Sequence, residues 1–301
     1  MSLSVGIVGL PNSGKSTLFN ALLKRQIAKV AEYPYTTIEP NVGAVEVPDE
    51  RLDKITSIAN INKKVPASVK FIDIAGLIKN AHKGEGLGNQ FLGHIREADA
   101  VVHILRAFQN EKVSHVNNKI DPIKDVEDIN FELEMAGIKK PTIYVLNVSE
   151  SDLKQDFNLP FKHVKVSAKL EAELSDLSGS EQKDFLRELD IEKSGLDQVI
   201  LESYKLLDLI TFFTIAGGKQ AQAWPIKNGA NIIDAANLVH TDFAKKFIKA
   251  EVIPVNELLV YGSRQGGGQA WQRAKEKGKV RLEGRDYIVK DGDVVELKVG
   301  S

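Results

Sequence analysis

Cysteine is absent from the 301 residues, which excludes disulfides and cysteine-ligated metals or clusters. A reducing, cytoplasmic setting fits that absence. Long apolar runs are missing too. Stretches such as residues 100–105 fall far short of the roughly 20 residues a membrane span needs, so no membrane partner is expected. Nor is there an excess of one charge: 40 Lys and Arg against 41 Asp and Glu leave a formal net charge of −1. The whole chain therefore exerts no general attraction on nucleic acid. DNA is not expected as a partner, and RNA only through a local patch. What is present, 43% hydrophobic and 27% charged residues, is the profile of an ordinary globular protein. The length suggests about two domains at roughly 100–200 residues each. The apolar opening has no basic region and no small-residue cleavage site, so it reads as structure and not as a signal peptide.

That opening runs into Gly9-Leu-Pro-Asn-Ser-Gly-Lys-Ser-Thr17, which contains the full phosphate-loop pattern Gly9-x4-Gly14-Lys15-Ser16. Its context is right. Residues 4–8 read as a short buried strand and residues 17–24 as a helix with Leu18, Ala21, Leu22 and Leu23 on one side. Glycines let such a loop wrap tightly, so that the backbone N–H groups of residues 12–17 (Asn12, Ser13, Gly14, Lys15, Ser16 and Thr17) and the helix N-terminus face an anion. Lys15 is expected to reach the β- and γ-phosphates, and the Ser16 hydroxyl to ligate Mg²⁺.

A second apolar strand, residues 69–73, ends in Asp73 and leads to Gly76. In this Asp-x-x-Gly pattern Asp73 is expected to hold Mg²⁺ through water, and the Gly76 N–H to sense the γ-phosphate. Between the two motifs lies Tyr33-Pro-Tyr-Thr-Thr37-Ile-Glu-Pro, a proline-bounded loop. Thr37, with Thr36 as the alternative, is the candidate switch residue over Mg²⁺ and γ-phosphate. Together these features predict an α/β fold of the Ras-like P-loop NTPase kind, with a mostly parallel sheet carrying helices on both faces.

Two segments compete to read the base. Asn118-Lys-Ile-Asp121 matches the guanine-reading string of small GTPases, but polar residues precede it, and it begins too soon after the strand at 100–105 for a crossover. It reads as a loop or helix start. Asn147-Val-Ser-Glu150 is better placed, behind the strand at 141–146. A further strand, residues 164–166, ends in Ser167-Ala-Lys, where the last base-contacting loop belongs, so Ser167 and Ala168 join the site. Val148 stands where lysine would cover guanine, and Glu150 where aspartate would grip it. Such losses collapse discrimination by orders of magnitude. ATP is therefore expected to bind at least as well as GTP, with the adenine amine donating to the Asn147 oxygen.

At this point the motifs are recognisable in combination. The phosphate loop, Tyr-Pro-Tyr-Thr-Thr-Ile-Glu-Pro-Asn, Asp-Ile-Ala-Gly-Leu, Lys-Gly-Glu-Gly-Leu-Gly-Asn-Gln-Phe-Leu, Asn-Val-Ser-Glu, His-Thr-Asp-Phe and Asp-Gly-Asp-Val resemble those of the YchF family. These are ATP-preferring members of the Obg-related P-loop GTPases, and the likeness runs from Met1 to near the C-terminus. It implies a nucleotide-hydrolysing domain, an inserted helical coiled-coil arm, a C-terminal TGS domain of β-grasp fold, and association with ribosomes. The arm belongs between a helix around residues 125–135 and the strand at 141, where only Ala136-Gly-Ile-Lys-Lys140 stands. Either the arm is deleted or it belongs to a longer form of the protein; Lys139-Lys140 reads as a join and favours the second.

Ras-like enzymes orient the attacking water with a glutamine after Asp-x-x-Gly; this chain has Leu77. Intrinsic hydrolysis is then slow, or a partner supplies the group, or His82 does, since imidazole can position water. Asn12 matches the asparagine that ligates K⁺ in potassium-dependent relatives, with plain loop hydrogen bonding as the alternative. The glycines of Gly84-Glu-Gly-Leu-Gly88 suit a hinge. Domains are expected at 1–214 and 215–301. In the second, Lys290-Asp-Gly-Asp293 is a turn signal. Six basic and two acidic residues between Arg273 and Arg285 form a candidate RNA patch. The leading reading is a slow, ribosome-associated, Mg²⁺-dependent ATPase switch. A strict GTPase and a nucleotide-sensing RNA adaptor are the alternatives.

Overall fold

A computed structural model of the chain describes residues 3–30, 41–74, 87–117, 119–216, 218–262 and 269–300, without the side chains of 25–30, 87, 89 and 216. In chain order the first elements are β1 (Ser4–Gly9), α1 (Lys15–Val30), β2 (Val42–Glu46), α2 (Glu50–Ala59), β3 (Lys63–Val65), β4 (Ser68–Asp73), α3 (Leu87–Glu97), β5 (Ala100–Arg106) and α4 (Pro122–Met135). There follow β6 (Thr142–Asn147), β7 (His163–Val166), α5 (Ala168–Leu174), α6 (Gly179–Glu188) and α7 (Gly195–Leu206). The remaining elements are β8 (Leu209–Ala216), β9 (Gln220–Lys227), α8 (Ile232–Val239), α9 (Thr241–Lys245), β10 (Phe247–Pro254), α10 (Val255–Val260), α11 (Ala270–Glu276), β11 (Arg281–Glu283) and β12 (Asp293–Val299). They form two compact units, residues 3–46 with 69–207, and residues 47–68 with 208–300.

The first unit is built on a sheet of order β2-β4-β1-β5-β6-β7. β1 pairs in parallel with both β4 and β5, and β5, β6 and β7 continue the parallel pairing. β1 and β5 are buried along their whole length, as parallel strands covered on both faces must be. Because the chain adds β2 and β4 on one side of β1 and then β5, β6 and β7 on the other, a switch point falls at the C-terminal end of β1, and residues 9–16 follow it directly. On one face Phe91, Leu92 and Ile95 of α3 pack with Ile129 and Leu133 of α4 against Val8 and Val101. Each such side chain contributes roughly 1.5–3 kcal/mol by leaving water.

α4 ends in a complete Schellman cap. The Ile138 N–H donates to the Leu133 carbonyl at 2.8 Å, the Gly137 N–H donates to the Glu134 carbonyl at 2.9 Å, and Gly137 has φ +66. Leu133 and Ile138 share one apolar cluster, the side-chain contact that accompanies this cap. Residues 136–141 thus connect α4 directly to β6.

The second unit is a sheet of order β11-β10-β12-β8-β9-β3. β8 and β12 are parallel at its centre, and β9 and β10 run antiparallel to them on either side. α8, held by an Asn231 and Asp234 capping box, buries Ile232, Ala235 and Ala236 against Phe212, Phe247 and Val295. This is the β-grasp arrangement. In the 290–293 turn Gly292 takes φ +84, and the Asp293 carboxylate accepts the Lys290 N–H at 2.9 Å.

The domain boundaries differ from the expected ones in two respects. A cut after residue 214 would fall inside β8, and the second unit begins at Asp208. Residues 47–68 also belong to it, because β3 pairs in parallel with β9 and α2 buries Leu52 and Ile55 within that unit. Side-chain periodicity shows that α2 has a buried face but not which sheet covers it.

Candidate nucleotide-binding site

The cradle begins where β1 ends. A Cβ on Gly9 would stand 2.5 Å from the Ile104 carbonyl oxygen. Gly14 has φ +99, and a side chain there would collide with the Asn147 amide nitrogen. Both positions need glycine for close approach. Ser13 and Lys15 are buried, at 1% and 8% exposure, while Asn12, Ser16 and Thr17 are exposed at the mouth and the start of α1. The Lys15 ammonium donates to the Leu10 carbonyl at 3.1 Å. Burial lowers its pKa, and the Asp73 carboxylate opposes that shift. Burial raises the pKa of Asp73, and Lys15 pulls it back. Cation and carboxylate therefore face the same crevice.

Asp73 Oδ1 is buried and has no hydrogen-bond partner among the described residues. Such an oxygen suits a metal-bound water, and the exposed Ser16 hydroxyl is a hard oxygen donor. The residues present therefore fit Mg²⁺ held largely by substrate phosphates. No group of three or more metal-ligating side chains occurs among the described residues.

The amide of Asn147, the candidate base reader, acts on the protein itself. Its Nδ2 donates to the Ser13 carbonyl at 2.8 Å, and its Oδ1 accepts the Ala168 N–H at 3.0 Å. Asn147 is 5% exposed and straps the phosphate loop to the 167–168 loop. An adenine amine could share only the second lone pair of that oxygen. Ser167 caps α5, accepting the Leu170 N–H at 3.4 Å, and is 3% exposed. Val148 is turned into the core at 2% exposure, packed with Leu105, Val126 and Leu146, so its side chain is a core group and not a base contact. Glu150 is exposed on a single 3₁₀ turn, Glu150–Asp152. Ser16, Asp73, Asn147 and the 167–168 loop thus stand around one cradle. Thr37, Gly76 and His82 lie outside the described residues, as do Thr36 and Leu77.

The competing guanine string is accounted for. Asp121 is the N-cap of α4, accepting the Lys124 N–H, and pairs with Lys119 at 3.6 Å; Asn118 lies outside the described residues. Asn12 has φ 63, and its Nδ2 donates to the Ser114 carbonyl at 3.1 Å. The motif reading did not reveal that bond, nor Arg106, nor the buried His103. An arginine ending a wholly buried strand and a histidine inside it were the available signals. The basic run at 273–285 is partly neutralised by Lys275–Glu251 at 2.6 Å, Lys279–Glu257 at 3.2 Å and Arg281–Glu283 at 3.5 Å. Lys277 remains exposed.

Residues 4–148 match the family described as "50S ribosome-binding GTPase". Residues 209–300 match the C-terminal family of YchF GTPases, whose own description is "Protein of unknown function". The chain is 40% identical to the "Ribosome-binding ATPase YchF" of Bacillus subtilis (strain 168) over 372 aligned positions, covering 99% of both chains. It is 39% identical over 368 positions to the protein of that name from Escherichia coli O157:H7, again covering 99% of both. Since these alignments are longer than the 301-residue chain, roughly seventy positions of each relative face no residue here. The Schizosaccharomyces pombe YchF GTPase structure superposes with a TM-score of 0.82 at 29% identity, over 99% of this chain and 98% of that one.

Proposed function

We propose, from the premise that this chain belongs to the YchF family of P-loop proteins, that it is a ribosome-associated, Mg²⁺-dependent triphosphatase acting on ATP, with GTP comparable or weaker. Ribosome association and ATP hydrolysis carry over from the names of its relatives. The base preference rests on one observation: Val148 is sunk in the core, where a guanine-reading site would place a covering lysine. Glu150 stands exposed with a longer carboxylate than the guanine fork takes.

The division of labour follows from the cradle. The backbone N–H groups of residues 12–17 and Lys15 bind the phosphates and offset their charge. Ser16, Asp73 and Thr37 would hold Mg²⁺, which would offset the negative charge that develops on the phosphates. Gly76 donates its N–H to the γ-phosphate. Water attacks the γ-phosphorus, the bond to the β–γ bridging oxygen breaks, and nucleoside diphosphate and inorganic phosphate leave. His82 orients that water in place of the missing glutamine. Asn147, with the 167–168 loop behind it, and Glu150 face the base. The Asn12 oxygen, its amide nitrogen being spent on Ser114, is the end available to K⁺.

Dissociation constants for ATP and GTP with Mg²⁺ test the reading. Near-equal or ATP-favouring values are expected, and a hundred-fold preference for GTP would refute it. Multiple turnover that rises with ribosomes separates an enzyme from an adaptor, and His82→Ala should lower turnover while sparing affinity.

A further inference from the structure

Arg106 ends β5 at 2% exposure and is the largest fully buried side chain among the described residues. A guanidinium in the interior is costly unless its fixed fork of donors is satisfied. Here the acceptors are carbonyls of one loop. Nε donates to Phe108 at 3.3 Å, Nη1 to Ser114 at 3.1 Å, and Nη2 to Val113 at 2.8 Å and Asn110 at 3.4 Å. The guanidinium also lies 4.5 Å from the centre of the Phe108 ring. Residues 108–114 are thus wrapped round one side chain.

The Ser114 carbonyl has a second donor, Asn12 Nδ2 of the phosphate loop, also at 3.1 Å. The Arg106 and Asn12 nitrogens therefore share an acceptor and lie within about 6 Å of each other. The next residue pins the loop at its far end. His115 Nδ1 accepts the Asn117 N–H at 3.1 Å, which leaves Nε2 to donate to Asp125 Oδ2 at 3.2 Å, on the first turn of α4. His115 and Asp125 are both buried.

We infer that Arg106 is a positioning residue for the phosphate loop. It shapes the 108–114 loop so that the Ser114 carbonyl captures the Asn12 amide nitrogen. That capture holds Asn12 in its left-handed conformation and turns its oxygen toward the ligand side. The inference rests on the reading of residues 9–17 as a triphosphate cradle.

A double-mutant cycle tests it. Arg106→Lys keeps the charge but loses the planar fork that four carbonyls require. Asn12→Gly removes the amide while tolerating positive φ. Turnover number, KM for ATP and melting temperature are measured for wild type, both single variants and the double variant. Each single change is expected to lower turnover by about tenfold, within the roughly hundredfold that a misplacement of about 1 Å can cost. Arg106→Lys should cost less than about twofold more once Asn12 is already glycine, although its effect on melting temperature should persist in both backgrounds. Losses in turnover that multiply, or no loss from Arg106→Lys, overturn the inference. If Arg106→Lys does not fold, Asp125→Asn, which loosens the loop at its other anchor, replaces it in the same cycle with the same two outcomes. A wild type that neither binds nor hydrolyses any triphosphate overturns the cradle reading and this inference with it. A wild type that turns over while the losses multiply overturns the inference alone.

Discussion

His103 offers a test of how dry the sheet beneath the phosphate loop is. It sits in β5, opposite Val8 on one side and Tyr144 on the other, at 1% exposure. Neither ring nitrogen has a hydrogen-bond partner among the described residues. Burial first, and then the positive charge of Lys15, push its pKa from 6.5 down to about 3. The unfolded chain therefore binds a proton below pH 6.5 that the folded chain refuses, so stability falls as pH drops from 6.5 toward 3. At 1.36 kcal/mol per pKa unit, pH 5 costs about 2 kcal/mol and pH 3 approaches about 5 kcal/mol. The perturbation is His103→Leu, which removes the titrating group and the two orphaned nitrogens while keeping the site filled. Urea unfolding of wild type and variant would be followed by far-UV circular dichroism at pH 7.5, 6 and 5. The stability gap in favour of the variant should widen by about 2 kcal/mol between pH 7.5 and 5. Parallel pH profiles for the two proteins would mean that the folded state accepts the proton, through water or a partner, and the argument from burial would fail.

Asn147→Ala strands the Ser13 carbonyl and the Ala168 N–H, at about 1–3 kcal/mol for each buried orphan, and should weaken ATP binding at least about tenfold. Asn147→Asp keeps the shape but sets a carboxylate against the Ser13 carbonyl, so it should rescue neither stability nor affinity; a nucleotide titration and a urea curve check both. Arg51→Met removes ion pairs to Asp49 at 2.7 Å and Asp291 at 2.6 Å and a ring contact with Phe213. These groups are partly exposed, so tryptophan fluorescence should report only about 1–2 kcal/mol lost from the second unit. Lys275→Glu places a second carboxylate beside the buried Glu251 and should lower the melting temperature of that unit. Lys277→Glu should leave melting unchanged and weaken ribosome co-sedimentation in a salt-dependent way. Co-sedimentation of the Lys277 variant at wild-type levels would remove the patch from the interface.

The nucleotide unit was largely legible because its signals are local. The phosphate loop declares itself through two glycines that meet neighbouring atoms, and β1, β4, β5, β6 and β7 through short apolar runs bounded by polar loops. Asp73 was legible as a strand-ending carboxylate. The role of Asn147 was legible only in part: its position followed from the strand before it, but spacing does not reveal that its amide is spent on Ser13 and Ala168. The same limit hid Val148. It follows the end of β6, where a side chain can turn into the core as readily as over a base, and tertiary packing decided. Arg106 was invisible for a related reason, because its acceptors are backbone carbonyls, which carry no residue signature.

Residues 47–68 show where local reading ends. The chain leaves the first unit directly after β2, builds α2 and β3 into the second, and returns at β4, the strand that carries Asp73. Within the second unit Leu52, Ile55, Ile61 and Ala67 are buried, and the Val47 N–H donates to the Ala67 carbonyl at 2.8 Å to close the excursion on itself. A chain ended at residue 207 would keep this segment but lose β9, the strand with which β3 pairs. The second unit is therefore not a C-terminal appendage. It is completed by sequence lying between the candidate switch threonine and the candidate metal-binding aspartate, so the two units are joined through the chain on both sides of that excursion as well as at 207–208. Because strand pairing needs β3 and β9 at once, the second sheet reaches its full width only when the early and late parts of the chain are both present.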